Sequence, residues 1–153
     1  MLKKYLKNQK GLTLIELLAV IVILGIIAAI AIPSIGKILD NSNKDAHVSN
    51  AEAIVNAAKL YVSSQNQSIS AAEATPTNIT LEELINNGFM DEIKDPSNKS
   101  STYNPKTTLV AIHKPAGSGT VYKVTLVSRH DPARTYLDAI NINDLDRADV
   151  KNN

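Results

Sequence analysis

The sequence predicts an α+β chain in which a long N-terminal helix, transmembrane in its first half and amphipathic in its second, packs on a small antiparallel β-sheet. Three observations carry that reading: an apolar run over Leu12–Ile32, a helical stripe of apolar residues over Val48–Val62, and three alternating segments between Thr107 and Asn143. With 153 residues, 44% hydrophobic and 20% charged, there is room for one modest globular domain beside the apolar run, which excludes a multidomain enzyme. Sixteen basic against fifteen acidic side chains leave a net charge of +1, so no bulk electrostatic force draws the chain to nucleic acid. The absence of Cys excludes a disulfide framework, a thiolate metal cage and a cysteine nucleophile. With no Trp and one Phe, the core falls mainly to Ile, Leu, Val and Ala.

The first element is the run Leu12–Ile32, twenty-one residues in which only Thr13 and Glu16 are polar. As a helix it is about 31 Å long, matching a hydrocarbon core of about 30 Å. The preceding segment holds Lys3, Lys4, Lys7 and Lys10 and no acidic residue, so the positive-inside rule places residues 1–11 in the cytoplasm and exports the rest. A cleavable secretory signal ending at Ala29-Ile30-Ala31 is the competing reading. Against it stand the length of the run and the charge at Glu16.

An ionised carboxylate near the middle of a membrane helix costs about 2.5 kcal/mol or more, so Glu16 calls for an explanation. One is that it lies about one turn inside the interface and snorkels to the headgroups. The other is that a cut between Gly11 and Leu12 creates an α-ammonium four residues away. In a bundle of such helices that amine can meet the Glu16 of a neighbour, and any axial register that separates the two charges is penalised.

The stretch Lys10-Gly11-Leu12-Thr13-Leu14-Ile15-Glu16, on a basic leader and followed by an apolar helix with Pro33, resembles the class III signal of type IV pilins and pseudopilins. The likeness is close over roughly the first 35 residues and weak beyond. It implies that a basic leader, residues 1–11, is removed after Gly11 by a prepilin peptidase, and that the new terminus at Leu12 is N-methylated. It also implies that Glu16 pairs with the terminal amine of an adjacent subunit during assembly. Residues 12–35 are then the transmembrane and filament-core helix, and residues 36–153 the exported headpiece. The family usually has Phe where this chain has Leu12, a departure that bears on methylation more than on cutting.

Gly25 and Pro33 weaken the helix locally, Gly through backbone entropy and Pro by removing the donor to the carbonyl of Ala29. By resemblance, this stretch extends or unwinds when subunits pass from bilayer to filament. Beyond Ser34 the helix turns amphipathic: Val48, Ala51, Val55, Ala58 and Val62 form one stripe, and Asp45, Glu52, Asn56 and Lys59 the other. Thr13 to about Ser63 reads as one helix, with two helices broken near Pro33–Gly36 as the alternative. Ser63–Asn78 is polar and reads as a loop, after which Thr80 and Glu83 form a capping box for a short helix over Leu81–Asn87, closed by Gly88. Asp95–Pro105 reads as another loop. Thr107–Lys114, Thr120–Arg129 and Thr135–Asn143 read as an antiparallel meander, with Tyr122, Val124 and Leu126 facing inward. Asp144–Asn153 reads as a charged, loosely held tail.

No catalytic constellation is legible. His47, His113 and His130 lack metal-ligand spacing and read as surface or sheet-edge residues. Asp144, Asp146 and Asp149 lack an EF-hand frame, and helix capping accounts for Glu82-Glu83. No cofactor is expected. Removing the leader takes the basic count from sixteen to twelve against fifteen acidic residues, a balance of −3. Nucleic-acid binding is thus not predicted from charge, although Lys99, Lys106, Lys114 and Lys123 form local basic spots.

The sequence reading is a non-enzymatic structural subunit, anchored as a single-pass precursor in the cytoplasmic membrane and then moved to an extracellular filament. By resemblance its partners are other copies of itself, a prepilin peptidase, an assembly ATPase with its membrane platform, and the lipid bilayer. Two alternatives are a minor pilin or competence or secretion pseudopilin, and, outside the family, an anchored or secreted binding module that never polymerises.

Overall fold

A computed structural model of the chain describes residues 14–131 and 134–151. Helix α1 spans Leu14–Gln65 and runs unbroken through Pro33. The chain divides into two units between Asp40 and Asn41. In the first, α1 is apolar and bare: Leu14, Ile30 and Ile32 are each more than two-thirds exposed. In the second, α1 buries the stripe His47, Ala51, Val55, Ala58 and Val62, at steps of four, four, three and four, with Ile54 and Ala57 beside it. Asn66 ends the helix in the left-handed region at φ 48°. There the amide of Gln67 donates to the carbonyl of Val62 (3.2 Å), a Schellman closure that uses an Asn where Gly is more usual.

The second unit adds β1 (Thr77–Thr80), α2 (Leu81–Asn86), β2 (Lys94–Asp95), β3 (Asn98–Thr102), β4 (Leu109–His113), β5 (Val121–Val127), β6 (Thr135–Asn141) and a 3₁₀ turn over Arg147–Asp149. Four strands form an antiparallel sheet in the order β1-β4-β5-β6, and β2 and β3 pair as a separate hairpin. The meander β4-β5-β6 is the one its alternation predicts, and Val124 and Leu126 are fully buried with Tyr122 packed against them. Ile54, Leu84, Val110, Ile112, Leu126 and Leu137 anchor one core between α1 and the sheet.

Two irregularities in β6 shape that core. Leu126 faces Leu137 while Val127 faces Thr135, so Tyr136 is an extra residue, and the bulge turns both Tyr136 and Leu137 inward. A second shift separates Leu137 from Ile140, and there Ala139 takes φ 51° with its amide donating to Thr125 Oγ1 at 3.1 Å.

The structure corrects several expectations. Thr77–Thr80 is an edge strand rather than the end of a loop, registered from Thr77 opposite Ile112 to Thr80 opposite Leu109. The expected loop Asp95–Pro105 holds the β2–β3 hairpin, in which Asn98–Thr102 is too polar to show an apolar alternation. The tail is held, not loose, up to Lys151: Asp146 caps the 3₁₀ turn, Val150 is 1% exposed, and the amide of Lys151 donates to the carbonyl of Tyr136 (2.9 Å). The capping box of Thr80 and Glu83 forms as expected, and Gly88 closes α2 at φ 75°.

Candidate functional site

Gly11 and Leu12, the expected cleavage and methylation residues, lie outside the described residues. Glu16 lies in the first turn of α1 and is exposed, where the unsatisfied amides of a helix N-terminus favour a carboxylate. From Leu14 to Leu39 the side chains are leucine, isoleucine, valine and alanine with few interruptions. None of this stretch is buried, and the helix is long and apolar enough to cross a membrane. An exposed apolar area of this size calls for lipid or protein to cover it.

Gly25 lies in open space, and a Cβ placed there meets no atom within 4 Å. Its missing side chain leaves a notch on the helix surface where another backbone can approach closely. Pro33 cannot donate to the carbonyl of Ala29, and one residue on, the Ser34 hydroxyl donates to the carbonyl of Ile30 (3.0 Å). Gly25 and Pro33 thus bracket a stretch with one weak propensity and one missing backbone bond, yet α1 stays helical across it.

In the second unit the polar chemistry gathers where sequence reading did not look. His47 is fully buried on the helix stripe, and His113 is 4% exposed on the inner strand β4, so neither is the surface or sheet-edge residue expected; His130 is exposed. The periodicity held the signal for His47, which lies four residues before Ala51 on the apolar face. Around it Tyr103 Oη lies 2.7 Å from Nδ1 and Ser97 Oγ 2.9 Å from Nε2. Tyr136 stacks on the imidazole with centroids 4.0 Å apart and donates to Asp95 Oδ2 at 2.7 Å. Burial pushes the His47 ring down to about 4, against the pull of Asp95 and with the push of Arg134. Burial also raises both phenols, Tyr136 to about 12, with the hydrogen bond to Asp95 adding to the rise.

The acidic and basic groups singled out from sequence mostly have structural partners. Glu83 completes the cap of α2, and Asp146 and Asp149 cap the last turn. Lys123 pairs with Glu73, whose carboxyl is lowered by that hydrogen bond and by the charge of Lys123. Lys99, Lys106 and Lys114 are exposed. Among the described residues no group of three or more His, Asp or Glu side chains is placed to hold a metal ion.

The family model for the prokaryotic N-terminal methylation motif matches residues 6–32. Over 128 residues the chain is 33% identical to one fimbrial protein of Pseudomonas aeruginosa and 32% identical to a second, each alignment covering 81% of this chain and 81% of the relative. No solved structure matches the chain.

Proposed function

The chain belongs to the type IV pilin family, and from that premise we propose that it is a filament subunit, made as a membrane-inserted precursor, cut after Gly11 by a prepilin peptidase, methylated at Leu12 and polymerised through its N-terminal helix. The observation that carries the reading is the bare apolar half of α1, which begins inside the matched motif with a carboxylate in its first turn. In the precursor, lipid covers this surface, and the lysine-rich leader keeps the N-terminus on the cytoplasmic side. In the filament, the same surface is covered by the helices of neighbouring copies.

Cleavage gives Leu12 a terminal amine, and the amine of one subunit pairs with Glu16 of the next. In an apolar bundle an ion separated from its counter-ion costs several kcal/mol, so the pair selects one register among many apolar ones. Gly25 and Pro33 provide the local compliance the helix needs on leaving the bilayer. The role is structural and not enzymatic, and the energy for extraction comes from a separate assembly ATPase acting through a membrane platform.

N-terminal sequencing and intact mass, on chain from membranes and from sheared surface material, test this reading. A start at Leu12 with one added methyl, recovered in the sheared fraction, is the expected result. A start after Ala31 overturns it in favour of a secreted domain, and an intact Met1 overturns it in favour of a permanent anchor.

A further inference from the structure

The hydrogen-bond donors around His47 fix where its protons are. Asn50 Nδ2 donates to Tyr103 Oη (3.1 Å), so the phenol turns its single hydrogen to His47 Nδ1 at 2.7 Å. Nδ1 is therefore an acceptor, and the ring proton sits on Nε2, where it donates to Ser97 Oγ (2.9 Å). A second ring proton, on Nδ1, would face an oxygen that already accepts from Asn50. The phenol would have to accept from both and turn its own hydrogen away from both, in a place where His47 and Tyr103 are closed to water.

The groups facing the ring come from every element packed on it. Asp95 in β2 has Oδ1 at 3.9 Å from Nε2, but its oxygens already take the Ser97 amide (2.9 Å), the Tyr136 hydroxyl (2.7 Å) and the Ser128 hydroxyl (3.4 Å). From β6, Tyr136 covers one face of the ring, and the guanidinium of Arg134 lies 5.4 Å from the centre of that phenol, adding positive charge. Tyr103, just past β3, meets the imidazole in a T-shaped contact with ring centroids 5.7 Å apart, and α1 itself supplies Asn50. Only Asp95 favours an imidazolium, and its oxygens are held by other donors.

The β2–β3 hairpin is a sheet of its own, tied to α1 by His47–Ser97 and, just past its end, by Tyr103 with His47 and Asn50, and to the β5–β6 side by Asp95 with Tyr136 and Ser128 and by Thr102 with Arg129. We propose that this buried cluster is an acid-sensitive latch, which holds the β2–β3 hairpin on α1 at neutral pH and releases it when His47 takes a second ring proton, while the four-stranded sheet stays folded.

The closed ring binds its proton at about 4 and an opened one near its ordinary 6.5, so opening becomes more favourable as pH falls through that interval. The test is amide hydrogen exchange on the full chain in detergent micelles at pH 7 and pH 5, corrected for intrinsic exchange rates. Protection over 94–102 is expected to fall roughly twentyfold, a figure that follows from the two proton affinities, while β4 and β5 keep theirs. In His47→Asn, which retains an acceptor for Tyr103 but does not titrate, the drop is expected to vanish. A second measurement needs no variant: long-range proton–nitrogen NMR on the wild-type ring is expected to show an unprotonated Nδ1 at pH 7. A protonated Nδ1 at pH 7, an unchanged hairpin at pH 5, an equal loss across hairpin and sheet, or the same drop in a folded His47→Asn chain would each overturn the latch.

Discussion

The guanidinium of Arg147 grips both carboxylate oxygens of Asp45, through Nε at 2.5 Å and Nη2 at 2.7 Å, across a sequence separation of 102 residues. This bidentate contact fastens the C-terminal turn to the part of α1 just before its buried stripe. Both side chains are about half exposed, which limits what the pair is worth. A double-mutant cycle of Arg147→Ala and Asp45→Ala, read by urea unfolding, should give a coupling of about 0.5–1 kcal/mol that shrinks in high salt.

Removing the Tyr136 hydroxyl should cost more. Its partner Asp95 is fully buried, and Tyr136→Phe withdraws the shortest hydrogen bond that carboxylate receives. A loss of about 1.5–3 kcal/mol in unfolding free energy is expected, and Asp95→Asn in the same chain should recover part of it, because an amide is cheaper to bury than a carboxylate.

Stability should fall in acid in two steps. His47 is held neutral in the folded chain, so its contribution is complete above about 6.5 and declines until the folded ring itself protonates near 4, a total of about 3 kcal/mol. Glu73 is lowered by Lys123, so its contribution persists down to the ordinary carboxylate range and is lost only below it. Urea midpoints measured from pH 7 to pH 3.5 should therefore decline first through His47, and His47→Asn should flatten the curve above pH 5.

One substitution should stabilise the chain. Ala139 holds φ 51°, a left-handed conformation that costs a residue with a Cβ about 1 kcal/mol, and it is exposed. Ala139→Gly removes that strain and adds unfolded-state entropy, so a net gain of about 0.5 kcal/mol in the urea unfolding free energy is expected.

In the proposed filament Glu16 acts in assembly and not in the headpiece. Glu16→Ala should abolish filaments in sheared material, while circular dichroism and urea unfolding of the headpiece stay as in the wild type. Filaments in normal amounts from Glu16→Ala would remove the charge pair from the proposed assembly.

Long periodic signals made the helix and the meander legible. The apolar run, the Val48–Val62 stripe and the Thr80–Glu83 cap each follow from local spacing, and α1, β4 to β6 and α2 stand where those spacings put them. What escaped depends on contacts far apart in sequence. Asn98–Thr102 becomes a strand by pairing with Lys94–Asp95, Tyr136 turns inward through a bulge, and His47 is polar by name but buried by position. The tail read as loose because Arg147 finds Asp45 only once the fold brings them together. The residues of the proposed assembly site come from the contiguous motif alone, and of them Gly11 and Leu12 lie outside the described residues.

The two edges of the four-stranded sheet govern how many copies can be crowded side by side. On one edge β1 is four residues long, and on the other β6 is broken at Ala139 and has the Tyr136 carbonyl occupied by Lys151. Neither edge offers a neighbouring chain a long, even row of backbone donors and acceptors, so strand-on-strand growth into cross-β aggregates is frustrated. A surface densely packed with these headpieces can stay soluble between them, leaving the order of any array to the helices.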